Sequence, residues 1–563
     1  MKGNRQIKRT NYNRNYMIAL VFLALISCMS SGTLAAQMTK TQIDSIVSDA
    51  MTSLDHTVGF AIGVVKDGKI VHAKGYGKTR AGSGVPVTAD TPFGIASNSK
   101  AFTATALSIL VERGTLHWDD KVVKHIPEFT MYDDYVTSNF TVQDLLTHRS
   151  GLGLGAGDLM LFPDGSNFTM NDVLNAFQYF KPVSPFRSKF DYDNLLYLVA
   201  GELIARVSGK PWSDFIEDEI LNPLQMQHSY ASYGAAANTE TIAVAHGFNG
   251  SSLKAVNAPI SKGTVAGHEG LNGAAGGMWS SARDMCNWML VQLNKGTYGA
   301  NLDKSLFAPH QQDEMWRMHT PMAQQQDPNS PFKVHFSGYG LGWFLSDFNG
   351  FFKVHHSGAI AGMSSEVTLI PELDLGIVVL NNSDGAGLLN GLLGFVLLEE
   401  YLQLETGINW MEMAAGMQGQ QQMGDPDAEE VWRTVAANKN NTVQTKNYVG
   451  VYEDDWFGKV EIFEKGGDLW FRSEKSPRLN GKMAFYKDTT FAIKWEYQDM
   501  NADALAVFTL SENGSAQHIK MKGISRFIDF SFDFQDLDLN RIPSPLESTG
   551  TGRYTIFALK SPK

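Results

Sequence analysis

Cysteine is nearly absent from this sequence of 563 residues, which contains only Cys28 and Cys286. We expect Cys28 to be removed or lipidated with an N-terminal leader, so that one thiol remains and no internal disulfide can form. The sequence also lacks H-E-x-x-H, paired C-x-x-C and Gly-rich phosphate-binding motifs, and the pair His355-His356 has no further ligands at metal spacing. We therefore expect no metal, no nucleotide and no other cofactor.

A G-x-S-x-G nucleophile elbow is missing as well, which excludes an α/β-hydrolase. An excess of basic residues is missing too. The formal net charge is −12, and loss of the five basic residues that precede residue 15 takes it to −17. This balance argues against a nucleic-acid partner. The apolar fraction of 43% is enough to build two or more domains around large cores.

The N-terminal segment, residues 1–36, predicts an export signal. It is basic, has no acidic residue, and continues into the apolar stretch Met17–Ile26, which is too short to span a bilayer. Leu34-Ala35-Ala36 favours ordinary cleavage before Gln37, whereas Leu25-Ile26-Ser27-Cys28 resembles a bacterial lipobox. No later segment predicts a transmembrane helix. We expect a periplasmic or extracellular protein, in free form or with a lipid anchor at Cys28.

The rest of the chain predicts two folded domains. A β-hairpin begins at Val58, helical patterns dominate from Ala101 to Trp288, and strands return after Gly338. This order predicts an α+β domain over residues 40–405, with an antiparallel sheet built from both of its ends, flanking helices and an all-helical insertion. A Met, Gln and Gly-rich linker follows at 406–441, and short aromatic strands predict an all-β barrel at 442–563.

The segment Ser97-Asn98-Ser99-Lys100 carries the strongest chemical signal. Residues three apart share one face of a helix, so the Lys100 amine can reach the Ser97 hydroxyl, and an apolar helical run follows directly. At a helix start, unpaired N–H groups favour the negative charge that develops when a hydroxyl attacks a carbonyl. A second S-x-x-K match, Ser251 to Lys254, lies in a turn-like segment and is a chance occurrence.

Three motifs in order, Ser97-x-x-Lys100, Tyr192-Asp193-Asn194 and His356-Ser357-Gly358, resemble those of the penicillin-recognising serine hydrolases. The segment 45–400 is most similar to the class C β-lactamase branch and to D-aminopeptidases. Further matching segments are Thr141–Leu152, Asn222–Met226 and Gly276–Asp284. The region after Tyr448 resembles the lipocalin-like barrel that some of these peptidases carry.

The resemblance assigns a role to each motif. Ser97 is the nucleophile, and either Lys100 or Tyr192 takes its proton, since burial and neighbouring groups can lower the pKa of a lysine. Tyr192 then returns a proton to the leaving group. Asn194 orients Lys100 and the substrate amide. The oxyanion hole consists of the backbone N–H groups of Ser97 and Ala359.

His356 and Gly358 are the predicted substrate-binding residues. We expect Gly358 to leave room for a peptide that docks beside its strand. His356 departs from the β-lactamase pattern, in which a lysine holds the substrate carboxylate, because histidine is mostly neutral at pH 7. Neutral amides and esters lose nothing by this change, whereas β-lactams and free carboxylates lose an anchor.

We therefore predict an exported serine hydrolase that forms an acyl-enzyme on Ser97. Its substrates are short peptides or amides, including those with D-residues. A carboxylesterase of the same fold is one alternative, and a weakly active penicillin-binding sensor is another. We also expect the C-terminal barrel to cover the mouth of the active site. The sequence does not predict the oligomeric state.

Overall fold

The computed structural model describes most of the chain after residue 37. The described residues are 38–53, 57–239, 241–248, 257–259, 271, 273–323, 332–383, 387–413, 416, 425–441, 443–499 and 501–543. The predicted signal segment, Cys28 and the chance match at Ser251 all lie outside them. Cys286 is buried and free. No helix within the described ranges is long and apolar enough to cross a membrane.

The helices are α1 (Lys40–Ser53), α2 (Ser99–Glu112), α3 (Val122–His125), α4 (Asp134–Asn139), α5 (Met170–Ala176), α6 (Leu195–Ser208), α7 (Trp212–Ile216), α8 (Tyr233–Ala236), α9 (Gly273–Gly276), α10 (Ala282–Leu293), α11 (Pro309–Met315), α12 (Gly387–Leu402) and α13 (Pro426–Ala437). The strands of the first domain are β1 (Gly59–Lys66), β2 (Lys69–Gly77), β3 (Phe93–Gly94), β4 (His246–Phe248), β5 (Asn257–Pro259), β6 (Trp279–Ser280), β7 (Thr297–Tyr298), β8 (Lys304–Ser305), β9 (Thr320–Met322), β10 (Ser337–Tyr339), β11 (Phe344–Phe348), β12 (Phe351–Ile360), β13 (Met363–Ile370) and β14 (Leu375–Asn381).

An eight-stranded antiparallel sheet joins the two ends of the first domain in the order β2-β1-β14-β13-β12-β11-β10-β9. The sequence prediction of an antiparallel sheet with flanking helices is thus confirmed. The insertion between β2 and β9 is mainly helical, and its described part also contains the short two-stranded ladders β3-β6, β4-β5 and β7-β8. These ladders are too short to give a periodic signal in the sequence.

Alternation along β1 separates two apolar cores, one on each face of the sheet. Ala61 and Val65 pack in the core that contains α2 and α10. Phe60, Ile62 and Val64 pack in the core that contains α1 and α12. All eight residues of β1 are buried, which is why this central strand is almost continuously apolar.

Helix α2 lies inside the first core and is buried on nearly all sides, from Ser99 to Leu110. Phe102 stacks on Trp288 of α10, with ring centroids 3.9 Å apart. The carbonyl of Ala274 in α9 accepts a hydrogen bond from the Thr103 hydroxyl. These contacts fix the start of α2, and therefore the Ser-x-x-Lys motif, between the sheet and the helical insertion.

The C-terminal domain is a closed antiparallel barrel of eight strands, as predicted. Its strands are β15 (Gly450–Asp454), β16 (Gly458–Lys465), β17 (Asp468–Ser473), β18 (Asn480–Lys487), β19 (Thr490–Trp495), β20 (Ala504–Leu510), β21 (Ala516–Gly523) and β22 (Leu539–Arg541). Aromatic side chains fill it, among them Tyr448, Phe491 and Phe508, whose rings meet edge to face. Helix α13 in the predicted linker packs Val431 against the outside of the barrel.

Candidate active site

The nucleophile turn connects β3 to α2. Ala96 has a positive φ of 47°, and residues Ala96–Asn98 form one 3-10 turn before the helix begins at Ser99. A left-handed conformation is costly for a residue with a Cβ, and such strain is commonly retained at functional sites. The Ser99 hydroxyl donates to the Ala96 carbonyl at 2.6 Å and holds the turn closed. Ser97 is thereby presented half-buried at the start of the helix, as the sequence predicts.

Lys100 lies one turn along the helix and is fully buried. Its Nζ is 3.1 Å from Ser97 Oγ, 2.7 Å from Asn194 Oδ1 and 2.8 Å from the carbonyl oxygen of Ala275. Burial lowers the pKa of Lys100 to about 7, although Asp158 and Asp193 oppose that shift. A substantial fraction of the amine is therefore unprotonated near neutral pH, within reach of the Ser97 proton.

Tyr192 lies close to both Ser97 and Lys100. The Lys100 amine lies 4.8 Å from the centroid of its ring. Burial raises the pKa of the Tyr192 phenol far above its usual value of 10, while a hydrogen bond with Ser97 opposes the rise. Because burial disfavours both a phenolate and an ammonium ion, Tyr192 keeps its phenolic proton, and Lys100 is partly unprotonated near pH 7. A neutral phenol and a partly unprotonated amine therefore both lie close to Ser97.

Asn194 immediately precedes helix α6, and its side-chain amide accepts one hydrogen bond and donates another. Its Oδ1 accepts from Lys100, and its Nδ2 donates to Asp158 Oδ2 at 2.8 Å. Asp193 beside it accepts from the backbone N–H of Leu196, so this carboxylate caps α6. The Tyr-Asp-Asn motif thus combines a helix start with two side chains of the site.

His356 is buried on β12, and both of its ring nitrogens are engaged. Nδ1 lies 2.6 Å from the carbonyl oxygen of Ser357 and Nε2 lies 2.9 Å from the Tyr339 hydroxyl. A carbonyl only accepts, so Nδ1 carries the hydrogen and Nε2 accepts from Tyr339. Burial, with Lys100 nearby, lowers the pKa of His356 to about 3. The position offers a neutral imidazole at physiological pH, in keeping with the argument from sequence.

Gly358 allows β12 to pass directly over the nucleophile turn. A Cβ at this position would lie 2.3 Å from the Ile95 carbonyl oxygen and 2.8 Å from the Ser97 backbone nitrogen. The glycine is therefore required on the side that faces the nucleophile, whereas the sequence argument placed the requirement on the side of a docking peptide. The same contact brings β12 beside the Ser97 N–H, one residue before Ala359.

Ala359 lies at an open edge of the sheet. Strand β11 pairs with β12 only as far as His355, whereas β13 accompanies β12 to Ile360. Ser357 and Ala359 are exposed on this stretch. A free strand edge beside a nucleophile can pair with an extended substrate backbone.

Comparison with known protein families identifies the family to which this chain belongs. A family profile described as Beta-lactamase matches residues 43–393, well over half of the chain. The chain belongs to the beta-lactamase family. Its C-terminal segment, residues 435–541, matches a domain of unknown function, DUF3471. In the structure this domain is the barrel together with the C-terminal end of helix α13.

Relatives of this beta-lactamase-family protein have diverse names. It is 28% identical over 339 residues to the unguisins hydrolase ungD' of Aspergillus campestris, a match that covers 58% of this chain and 59% of the relative. It is 29% identical over 348 residues to protein flp of Staphylococcus aureus, covering 61% and 62% of the two chains. The chain thus spans about three fifths of the length of these curated relatives.

A solved structure, the octameric penicillin-binding protein homologue from Pyrococcus abyssi, superposes with a TM-score of 0.54 at 22% identity. The match covers 89% of this chain and all of the other. At this level of identity the comparison establishes the shared fold of both domains.

Several residues of this beta-lactamase-family site carry no signal of their own in the sequence. His148, with a positive φ of 51°, accepts from the backbone N–H of Asp193 and lies 4.2 Å from the Tyr192 ring. It falls in the matching segment Thr141–Leu152, which was noted without a role. Asp158 and Tyr339 belong to no sequence motif, because Asp158 begins a short 3-10 turn and Tyr339 ends a strand of three residues.

Two further contributors come from the C-terminal domain. Ser531 Oγ donates to Asp158 Oδ2 at 2.9 Å. The Phe530 ring meets Tyr192 edge to face, at 6.1 Å between centroids. The segment after β21 therefore reaches the active site of the first domain. No set of three or more acidic, histidine or cysteine side chains suited to a metal ion occurs in the described part of the chain.

Proposed function

We propose that this protein hydrolyses short, uncharged peptides and amides, including those with D-residues, through an acyl-enzyme on Ser97. The observation that carries the proposal is the juxtaposition of a buried Lys100 amine, 3.1 Å from Ser97 Oγ, with a neutral His356 at the position of a cationic lysine in β-lactamases. The first feature activates a serine, and the second selects against a substrate carboxylate.

Acylation begins with transfer of the Ser97 proton to Lys100. The Ser97 oxygen forms a bond to the substrate carbonyl carbon, and the resulting oxyanion lies between the N–H groups of Ser97 and Ala359. Tyr192 protonates the departing nitrogen as the C–N bond breaks, and Lys100 returns a proton to Tyr192. Deacylation follows the same path in reverse, with water in place of the leaving amine.

The preference for uncharged substrates follows from electrostatics. A substrate carboxylate beside His356 would find no free hydrogen-bond donor on the imidazole. Nδ1–H already donates to the Ser357 carbonyl, and Nε2 accepts from Tyr339. Desolvating a carboxylate without a cation is costly. The rim of the site is apolar as well, since Leu154 and Phe530 are both substantially exposed and Phe530 contacts Gly155. Substrates with neutral ends and apolar side chains suit this surface.

A carboxylesterase is the second candidate, and the same neutral His356 favours it equally. Esters and amides share the acylation step and differ in the leaving group, because an alkoxide or phenolate needs less help from an acid than an amine does. The role of Tyr192 therefore separates the two activities. The name of the Aspergillus relative, a hydrolase of unguisins, supports hydrolysis as the reaction class.

The proposal is tested by comparing hydrolysis of D-alanyl anilide, L-alanyl anilide and a short-chain nitrophenyl ester by the purified protein. Ser97→Ala provides the blank, and Ser213→Ala, which removes a serine hydroxyl on α7, is the matched control. Anilide turnover that is lost only in Ser97→Ala supports the peptidase or amidase. Ester turnover alone, with the same dependence on Ser97, would replace it with a carboxylesterase. Stoichiometric acylation without turnover would indicate a penicillin-binding sensor.

We also propose that the protein acts outside the cytoplasm, on the strength of the basic and apolar segment before residue 37. Its natural partner is then a small extracytoplasmic peptide, amide or ester. Cell fractionation, together with the mass of the mature N-terminus, tests this assignment. A terminus at Gln37 indicates ordinary cleavage, a diacylated Cys28 indicates a lipoprotein, and an unprocessed cytoplasmic chain would refute export.

A further inference from the structure

The segment Phe530–Asp533 of the C-terminal domain encloses one residue of the first domain, Asp158. Ser531 Oγ donates to the Asp158 carboxyl group at 2.9 Å. The Asp533 carboxyl group accepts from the backbone N–H groups on either side of it, Gly157 at 2.7 Å and Leu159 at 2.9 Å. The C-terminal domain thus binds the side chain of Asp158 and the backbone N–H groups of its two neighbours.

Asp158 in turn determines how Asn194 presents itself to Lys100. An amide side chain has one accepting end and one donating end. Because Asn194 Nδ2 donates to Asp158, its Oδ1 faces Lys100 and accepts from the amine at 2.7 Å. A continuous chain of hydrogen bonds, at 2.9, 2.8 and 2.7 Å, therefore runs from Ser531 through Asp158 and Asn194 to Lys100.

The carboxyl groups of Asp158, within this chain, and of Asp533, beside it, are both fully buried. Burial raises the pKa of Asp158 to about 8, and the hydrogen bonds from Asn194 and Ser531 oppose this rise. Burial also raises the pKa of Asp533, and Asp158 adds to that rise. Hydrogen bonds inside a low-dielectric region are strong, and losing one partner leaves the other group unsatisfied. Removal of the Ser531 hydroxyl is therefore expected to disturb Asp158 rather than to be absorbed by solvent.

We propose that Ser531 and Asp533 of the C-terminal domain are positioning residues for the catalytic amine, acting through Asp158 and Asn194. The inference rests on the proposed role of Lys100 as the base toward Ser97. In this account the barrel contributes to the reactive geometry itself, in addition to covering the mouth with Phe530. Removing the barrel then abolishes catalysis, whereas a simple cover would only restrict the length of the substrate.

Other contacts between the domains distinguish this role from simple docking. Lys475 lies 3.0 Å from Asp172, and Arg478 pairs with Asp164. Both pairs join the barrel to the first domain at residues outside the hydrogen-bond chain from Ser531 to Lys100. They provide a control in which the interface is weakened without a change in the hydrogen-bond chain.

The test compares Ser531→Ala and Asp533→Asn with matched variants in the full-length protein. Ser525→Ala removes a similarly buried hydroxyl six residues earlier, which accepts hydrogen bonds from Asn501 Nδ2 and the Phe527 N–H. Asp454→Asn changes a buried carboxylate that accepts backbone N–H groups within the barrel. Lys475→Gln weakens the interface. The readouts are kcat and KM on a nitrophenyl ester, the rate of Ser97 labelling by a fluorophosphonate, and the Tm.

We expect Ser531→Ala to lower kcat and the labelling rate about tenfold or more with KM nearly unchanged, because misplacing a catalytic group by ~1 Å can cost ~100-fold. Ser531→Thr, which retains the hydroxyl, should restore most of the rate, and Asp533→Asn should reduce it. The three controls should retain wild-type kcat even where Tm falls.

The proposal is overturned if Ser531→Ala and Asp533→Asn lose no more kcat than Ser525→Ala and Asp454→Asn. A loss in all variants in proportion to Tm would also overturn it, since that pattern indicates stability alone. The outcome for the proposed function is separate. A wild-type protein that is neither labelled at Ser97 nor active on the ester would refute the Ser97 acyl-enzyme, and the positioning role with it.

Discussion

The ionisation of Lys100 predicts how activity depends on pH. Burial lowers the pKa of this amine from 10.5 to about 7. A shift of this size corresponds to about 5 kcal/mol in favour of the free base. At pH 7 roughly half of the molecules then carry an unprotonated Lys100, compared with about 1 in 3,000 for an ordinary lysine.

The direction of the pH dependence follows from the role of the Lys100 amine as a base. Only the unprotonated form accepts the Ser97 proton, so kcat/KM should rise with pH until it levels off above about 7. Between pH 8 and pH 5 the expected fall is about 100-fold for a neutral ester substrate. Initial rates, followed at the isosbestic wavelength of the nitrophenol product and corrected for uncatalysed hydrolysis, measure this profile. Tm recorded across the same range excludes unfolding as the cause.

Asp193 provides the control for this assignment. Burial raises the pKa of its carboxyl group to about 7, so its own ionisation falls in the same range. Asp193 also raises the pKa of Lys100 when it is charged. If Lys100 governs the profile, Asp193→Asn shifts the midpoint to lower pH. If kcat/KM of Asp193→Asn is high and independent of pH, the rise of the wild-type profile reports the ionisation of Asp193. A wild-type profile that is flat from pH 5 to pH 8 would refute Lys100 as the base.

Three other substitutions are expected to act selectively. Tyr192→Phe should reduce anilide turnover at least about 10-fold more than nitrophenyl ester turnover, measured as the ratio of kcat values, because an amine leaving group needs the acid. His356→Lys should improve kcat/KM for a peptide with a free C-terminal carboxylate relative to its amide by about 10-fold, as a charged hydrogen bond contributes ~1.5–3 kcal/mol; an unchanged ratio contradicts this. Gly358→Ala should lower kcat about 100-fold by displacing the Ser97 N–H, whereas Gly391→Ala, with open space around it, should not.

The parts of the site that could be predicted from the sequence are those encoded by short-range patterns. Ser97 and Lys100 lie one helical turn apart, so helix geometry alone brings them together. The neutral character of His356 follows from its residue type. The antiparallel sheet and the barrel follow from the alternation and order of strands along the chain.

The remaining parts depend on contacts between distant segments. Ser531 and Asp158 are 373 positions apart, and nothing in either local sequence indicates that they meet. The carbonyl of Ala275 that accepts from Lys100 belongs to the backbone, which carries no residue-type signal. Gly358 was recognised, yet the surface that requires it became evident only when β12 was seen against Ile95 and Ser97.

Location of a covalent adduct on Ser97 would test the acyl-enzyme directly. The protein is mixed with a slowly deacylating ester or a fluorophosphonate, digested, and analysed by mass spectrometry of the peptide that contains Ser97. We predict one adduct at Ser97, absent from Ser97→Ala and strongly slowed in Lys100→Met. Substrate turnover with no adduct at Ser97, or undiminished labelling in Lys100→Met, would contradict the proposed mechanism.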